Sequence, residues 1–164
     1  MNNEITVRKA EKEDVPQIAE ILVEDWQKAY RGIMDDAFLD SMCAGQRYEI
    51  EVKRYQKFIV AADGDEILGY AWLENSDEKP ADCEVIALYI RYAKRGSGIG
   101  KLLMRHAADQ FRKDGKKKMI IWCLKENAES RKFYERIGGK EFRTGSHNWG
   151  GKDYEMISYL YDIG

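Results

Sequence analysis

The stretch RGSGIG at residues 95–100 carries three glycines at alternate positions, between an apolar segment and a segment with helical periodicity. Because glycine has no Cβ, successive backbone N–H groups of such a turn can point into one concave space. The first N–H groups of a helix also lack intrahelical partners, and the helix dipole adds positive charge there. Phosphate oxygens suit this arrangement, to which Lys94, Arg95 and Lys101 add positive charge. The stretch therefore predicts a phosphate-binding turn at a strand-to-helix junction; the alternative is a glycine-rich turn without a ligand.

Two well-known phosphate-binding loops do not fit this stretch. A P-loop would need glycine in place of Arg95 and a hydroxyl side chain in place of Leu102. The dinucleotide-binding fingerprint would need glycine in place of Lys101. It would also need a position in the first strand-to-helix turn, whereas this stretch lies past the middle of the chain.

The segments around the turn alternate between strand and helix patterns. An amphipathic helix is predicted from about residue 14 to 32, followed by a helical region at 35–56 that breaks near Ala44. Two further helices are predicted at 98–113 and 127–137. The predicted strands are 4–10, 57–62, 66–73, 83–91, 119–124, 141–144 and 154–161, with a turn-rich loop at 145–153. This order predicts a mixed α/β sheet in one domain, residues 1–164.

Composition narrows the classes of protein that remain. A chain of 164 residues suits one domain, and its net charge of −2 gives no global basic field for nucleic acid. No apolar run approaches the roughly 20 residues that span a bilayer, and the first residues do not resemble a secretory signal. The three cysteines are odd in number and widely spaced, so we expect neither a disulfide framework nor a metal site. We therefore expect a cytoplasmic protein that binds neither nucleic acid nor a membrane.

Two motifs together resemble one family. RGSGIG resembles the Q/R-x-x-G-x-G/A signature of the GNAT N-acetyltransferase superfamily, which in that family binds the pyrophosphate of acetyl-CoA. NAESRKFYERIG at residues 127–138 resembles the family's second motif, N-x-x-A/S-x-x-F-Y-x-x-x-G-F, and one predicted strand separates the two. One departure is Gly139, where the family usually has Phe. The pair of motifs is much more specific than either one alone.

The resemblance implies a fold and a way of binding acetyl-CoA. The family has a splayed central mixed sheet, here of about six or seven strands flanked by about four helices. It implies a bulge at 86–88, where the strand parts from the strand at 119–124 and leaves the amides of Leu88 and Ile90 to face the acetyl and pantetheine groups. The Leu88 amide would be the oxyanion donor. The implied cofactor-binding residues are Leu88, Tyr89, Ile90, Arg95, Gly96, Ser97, Gly98, Ile99, Gly100, Lys101, Asn127, Ser130, Arg131 and Tyr134.

Moving an acetyl group from a thioester to an amine needs a base for the amine and benefits from an acid for the departing thiolate. Tyr134 matches the tyrosine of the family's second motif and is the predicted acid; the alternative is a core aromatic. Glu84 lies fourteen residues before Gly98, a spacing at which some family members carry a catalytic glutamate, and is the predicted base. An outward-facing charge is the alternative for Glu84, and His147 or a water chain is the alternative for the base.

The acceptor would be a primary amine of a small molecule or a peptide. In the family, the first helices and the last loop line the acceptor pocket, and here they carry Trp26, Tyr30, His147 and Trp149. Core packing is the alternative for Trp26 and Tyr30. Asp25 would either attract a cationic amine or lie on a solvated helix face. Two other functions stay open, a non-catalytic acyl-CoA-binding or sensor module and an interaction domain that binds no nucleotide. Many members of the family pair through sheet edges or helices, so the resemblance makes a homodimer one oligomeric state to test.

Overall fold

Seven strands and five α-helices make up the part of the chain that the computed structural model describes, residues 4–164. The strands are β1 Thr6–Lys9, β2 Phe58–Asp63, β3 Glu66–Asn75, β4 Cys83–Ile90, β5 Lys118–Leu124, β6 Lys140–Trp149 and β7 Lys152–Asp162. The helices are α1 Val15–Ala29, α2 Asp36–Ser41, α3 Ala44–Glu51, α4 Ile99–Lys113 and α5 Ala128–Arg136. The strand order is β1-β2-β3-β4-β5-β7-β6. Strand β4 pairs with β5 in parallel, whereas β1 with β2, β2 with β3, β5 with β7 and β6 with β7 pair antiparallel. The sheet is therefore mixed, as predicted.

The chain clusters into two compact units, each made of two segments. The first contains residues 4–73 and Ala87–Ala107, and the second contains Glu74–Ile86 and Ala108–Gly164. Strand β4 contributes its first half to the second unit and its last half to the first. The strand therefore belongs to both units.

The first unit places α1 beside the antiparallel strands β1, β2 and β3. Ile18, Ala19 and Leu22 recur at helical spacing and are buried, which gives α1 one apolar face. Gln17, on the same helix, closes the start of β3. Its amide donates to the carbonyl of Asp65 at 2.9 Å, and its side-chain oxygen accepts from the Ile67 N–H at 2.8 Å. The helix is thus tied to the hairpin by polar contacts as well as by burial.

The second unit is built around β5. Residues 83–85 of β4 pair in parallel with residues 119–121 of β5, and the other edge of β5 pairs with β7 along its whole length. Helix α5 packs on this sheet. The hydroxyl of Tyr161 donates to the carbonyl of Tyr134 at 2.7 Å. This contact fixes α5 against β7.

Two sequence predictions differ from the structure. The segment at 145–153 is not a loop, because β6 runs to Trp149, β7 begins at Lys152, and only Gly150 and Gly151, with φ of 60° and 84°, make the turn. This hairpin end is exposed, so its strands show no apolar–polar alternation from which to predict them. The helical region at 35–56 forms two α-helices separated at Met42 and Cys43, followed by a short 3₁₀ turn, which gives five helices instead of four.

Among the described residues, no helix is both long enough and apolar enough to cross a bilayer.

The glycine that replaces the family's phenylalanine sits in a tight space. A Cβ at Gly139 would lie 2.7 Å from the Tyr161 hydroxyl oxygen and 2.8 Å from the Tyr134 carbonyl oxygen. We therefore expect Gly139→Ala to lower the free energy of unfolding by about 1–3 kcal/mol, the range for overpacking. Denaturant titration measures the change. Gly45→Ala is the matched control, because a Cβ there meets no atom within 4 Å and alanine favours helix α3. Equal stabilities of the two variants would contradict the packing argument.

Candidate active site

The phosphate turn, residues 95–100, has the open shape that the sequence predicts. It follows β4 and a short 3₁₀ turn, Tyr92–Lys94, and leads into α4. Gly96 and Gly98 have φ of 78° and 87°, a region that favours glycine. A Cβ built on either residue meets no atom within 4 Å, so the protein leaves the space beside them empty. Ile99, the first residue of α4, is buried. The turn fits a diphosphate held by main-chain amides.

Arg95 has a structural partner in the first helix. Its guanidinium pairs with the carboxylate of Asp25, which is only 4% exposed, and lies 5.0 Å from the centre of the Tyr92 ring. A second contact joins the same two segments, since the Tyr92 N–H donates to Glu24 at 2.9 Å. Asp25 therefore does not lie on a solvated face. Arg95 anchors the start of the phosphate turn to α1, while Lys94 and Lys101 are exposed.

The last residues of β4 pack closely against β3. A Cβ on Gly69 of β3 would lie 2.9 Å from the carbonyl oxygen of Tyr89 and 2.8 Å from a side-chain carbon of Ile90. Only glycine at position 69 allows β3 and β4 to come this close. A single glycine inside a strand pattern is the feature of the sequence that indicates such a close contact between backbones. Leu88, Tyr89 and Ile90 are half-buried. Their contact with a cofactor stays a prediction.

The side chain of Tyr89 belongs to an aromatic cluster in the first unit. Burial raises its pKa to about 12, an effect opposed by hydrogen bonds with Trp26 and Tyr30. The Tyr89 ring lies 5.7 Å from that of Tyr70, and the rings of Trp26 and Tyr30 meet edge to face at 5.0 Å. Trp26 is buried, as the core alternative requires, whereas Tyr30 is half-buried. An acceptor-binding role for these two residues stays a prediction.

Glu84 is a half-buried carboxyl group on the parallel part of β4. Burial raises its pKa to about 7, and repulsion by Glu78 and Glu74 adds to the effect. It makes no ion pair among residues 4–164. A carboxyl group that gains and loses its proton near neutral pH is suited to act as a general base.

Tyr134 lies two helical turns after the cap of α5. The Asn127 side chain caps the helix by accepting from the Ser130 N–H at 3.2 Å, and its contact with the cofactor stays a prediction. Tyr134 is buried, and its ring lies 5.3 Å from the Phe133 ring and 5.9 Å from the Tyr159 ring. The second motif therefore delivers a buried tyrosine to the face of the sheet that α5 covers.

Glu84 and Tyr134 lie on opposite faces of the second unit's sheet. Glu84 pairs with Ile120, whereas Tyr159, which Tyr134 contacts, pairs with Ile121. Successive residues of a strand point to opposite faces, so the two predicted proton-transfer groups are separated by the sheet.

Other side chains of the second unit have structural partners. The Arg131 guanidinium donates to the hydroxyl of Tyr159 at 3.0 Å, the carbonyl of Lys125 at 3.2 Å and the carboxylate of Glu141 at 2.7 Å. It holds α5 to the sheet, and its predicted contact with phosphate, like that of Ser130, is untested. Burial raises the pKa of Cys123 to about 12, so its thiol is a poor nucleophile at neutral pH.

His147 and Trp149 lie on β6 near the end of the hairpin, not in a loop. Their ring centres are 4.1 Å apart, and the Trp149 ring lies 6.2 Å from that of Tyr154. His147 is exposed, and Trp149 is half-buried. The structure therefore brings these two predicted acceptor residues together as part of an aromatic cluster, and their roles stay predictions.

The raised pKa of Glu84 makes stability depend on pH. Its pKa is about 7 in the folded protein against an ordinary 4.5, so the folded state binds more protons between these values. Ionisation of Glu84 therefore lowers the free energy of unfolding progressively as the pH rises from 4.5 to 7, and this destabilisation reaches its full size above pH 7. We expect Glu84→Gln to raise the melting temperature more at pH 8 than at pH 5, relative to wild type. A difference that is the same at both values would contradict the assigned shift.

Comparisons with known proteins agree with this architecture. The chain is 26% identical to a spermidine N(1)-acetyltransferase of Thermoplasma acidophilum, over 83% of this chain and 88% of that protein. It is 25% identical to the uncharacterised N-acetyltransferase YuaI of Bacillus subtilis, over 75% and 73% of the two chains. The crystal structure of PaiA N-acetyltransferase from Thermoplasma acidophilum in complex with coenzyme A superimposes with a TM-score of 0.74 at 24% identity, covering 96% of this chain and 99% of that one.

A profile of the acetyltransferase (GNAT) family matches residues 15–139, a span that includes both motifs and Glu84. The chain belongs to the acetyltransferase (GNAT) family.

Proposed function

We propose that residues 1–164 act as one N-acetyltransferase domain that moves an acetyl group from acetyl-CoA to a primary amine by direct attack. The observation that carries the proposal is Glu84, a half-buried carboxyl group on β4 whose pKa of about 7 suits proton removal from an ammonium group. Family membership makes acetyl-CoA the acetyl donor. The open cradle beside Gly96 and Gly98 fits the diphosphate of that donor.

Four groups of the chain have roles in this proposal. The amides of the phosphate turn hold the diphosphate, and the donor supplies an acetyl group activated as a thioester. Glu84 accepts a proton from the acceptor's ammonium group, which leaves a lone pair on nitrogen. The Leu88 N–H, by resemblance to the family, donates to the carbonyl oxygen as that oxygen gains charge. The amine nitrogen then bonds to the acetyl carbon, the carbon–sulfur bond breaks, and Tyr134 gives its proton to the leaving sulfur. The nitrogen loses its second proton to water as the amide forms, so that each turnover releases one proton in total.

The placement of the two proton-transfer groups supports direct attack. Because Glu84 and Tyr134 lie on opposite faces of the sheet, an amine activated by Glu84 approaches from one face and the leaving sulfur meets Tyr134 on the other. No side chain has to carry the acetyl group between them. Burial raises the pKa of both cysteines of the second unit, Cys83 and Cys123, to about 12, which makes an acetylated thiol a poor alternative.

Acetylation of a panel of amines tests the catalytic assignment. The panel contains spermidine, 1,4-diaminobutane, butylamine, an aminoglycoside and a peptide with a free N-terminus. We expect coenzyme A release with at least one amine at pH 8. Glu84→Gln and Tyr134→Phe should each lower kcat/KM by roughly 100-fold or more, the range for general acid–base groups. Both variants should still show a rise in melting temperature with acetyl-CoA.

Two outcomes would contradict the proposal. If no amine of the panel is acetylated while acetyl-CoA raises the melting temperature, the chain is a binding module. If acetyl-CoA does not raise the melting temperature, the chain is an interaction domain without a nucleotide site. Full activity of Tyr134→Phe would remove Tyr134 from its role as the acid.

The phosphate turn has its own test in Gly98→Trp. The indole would enter the open cradle, so we expect coenzyme A affinity measured by calorimetry to fall by at least 100-fold while the protein stays folded. Gly64→Trp is the matched control, because Gly64 also has a positive φ, 59°, and open space around it, in the turn between β2 and β3. Coenzyme A affinity equal to wild type in Gly98→Trp would contradict the assignment of the turn.

A further inference from the structure

Trp122 of β5 lies on the same face of the sheet as Glu84. Glu84 of β4 pairs with Ile120, and Trp122 follows Ile120 by two residues on β5. Residues two apart on a strand point to the same face, so the indole stands one step along the strand from the proposed base. Trp122 is half-buried, which leaves part of its ring accessible.

The indole of Trp122 is held at both ends. Its N–H donates to the carboxylate of Glu78 at 3.1 Å, and Glu78 is 3.5 Å from the guanidinium of Arg143. Arg143 also donates to the carbonyl of Lys79 at 3.0 Å. At the other end, the six-membered ring lies over Gly145, where a Cβ would come within 3.3 Å and 3.4 Å of two ring carbons. A ring fixed in this way forms a rigid surface.

The surface around this ring has exposed hydrocarbon and three carboxyl groups, Glu74, Glu78 and Glu84, of which Glu78 is paired with Arg143. Ile86 follows Glu84 by two residues on β4, points to the same face and is 37% exposed although it lies on a central strand. Glu74 and Glu78 are close enough to Glu84 to act on its charge. Exposed hydrocarbon and an aromatic ring beside carboxylates complement a molecule with an aliphatic body and positive ends.

We propose that Trp122 determines acceptor specificity by packing its ring against the aliphatic, cationic body of an alkyl diamine whose reacting nitrogen reaches Glu84. The inference rests on the proposed function and names the acceptor class for it. Glu78 is a positioning residue in this arrangement, because it holds the indole by its N–H. Trp122 touches the acceptor and Glu78 acts through Trp122.

Steady-state kinetics with 1,4-diaminobutane tests the inference. We expect Trp122→Leu to raise KM for this amine roughly tenfold, with kcat changed less than twofold, because a contact made equally in the ground and transition states is lost. Trp122→Phe keeps a ring but no N–H, and should raise KM less. Gly145→Ala pushes on the ring and should also raise KM. Tyr55→Leu, which replaces a half-buried aromatic side chain of the first unit, is the matched control and should leave KM unchanged.

The outcomes separate this inference from the proposed function. If the wild-type protein acetylates no amine of the panel, the proposed function and the role of Trp122 are both contradicted. If wild type acetylates 1,4-diaminobutane and Trp122→Leu keeps its KM, only the inference falls. Coenzyme A affinity serves as the folding check for each variant. If Trp122→Leu does not bind coenzyme A with wild-type affinity, KM for 1,4-diaminobutane is compared in Trp122→Phe and Gly145→Ala instead. A wild-type KM in both of these variants would overturn the inference.

Discussion

Strand β4 is hydrogen-bonded between β3 and β5, and the proposed chemistry depends on that position. Burial of its first half raises the pKa of Glu84, because a carboxylate loses water there without gaining a cation. Its second half is followed by the short 3₁₀ turn Tyr92–Lys94 and then by the phosphate turn, residues 95–100. The close approach of β3 at Gly69 fixes this second half in place.

The other buried acids show why Glu84 is different. Asp14 is paired with Arg8, Asp25 with Arg95, and Glu51 with both Arg47 and Arg54. Each of these buried carboxylates thus pairs with a guanidinium, whose attraction offsets part of the free energy lost when the carboxylate is removed from water. Glu84 has two carboxylates near it and, within residues 4–164, no ion pair. An acid that is desolvated beside other carboxylates lowers the stability of the fold when it ionises, and this supports the proposed role of Glu84 as the base.

The sequence predicts those features that depend on local chemistry and misses those that depend on distant partners. The phosphate turn and the cap of α5 were predictable, because positive φ and helix capping select particular residue types within a few positions. The strands at the exposed hairpin end were not, since neither face of that hairpin needs apolar residues. The sequence also did not predict the pairing of Arg95 with Asp25, because the two residues lie 70 positions apart in the chain.

The same reason explains why Trp122 could not be assigned a role from the sequence. In the pattern of β5 it reads as one more apolar residue of a buried strand, and its partner Glu78 lies 44 residues earlier in a polar loop. Only the register of β4 and β5 puts it on the face of Glu84.

Separation of Glu84 and Tyr134 by the sheet has a consequence for the proposed turnover. Each cycle would leave a proton on Glu84 and remove one from Tyr134, and the two groups cannot exchange it directly across a packed sheet. Each must therefore exchange protons with its own surroundings. Glu84 is suited to this, because a carboxyl group with a pKa of about 7 returns its proton to water readily at neutral pH. An ordinary carboxylate would release the proton more easily but accept it from an ammonium group less readily, and the burial of β4 sets the balance between these two requirements.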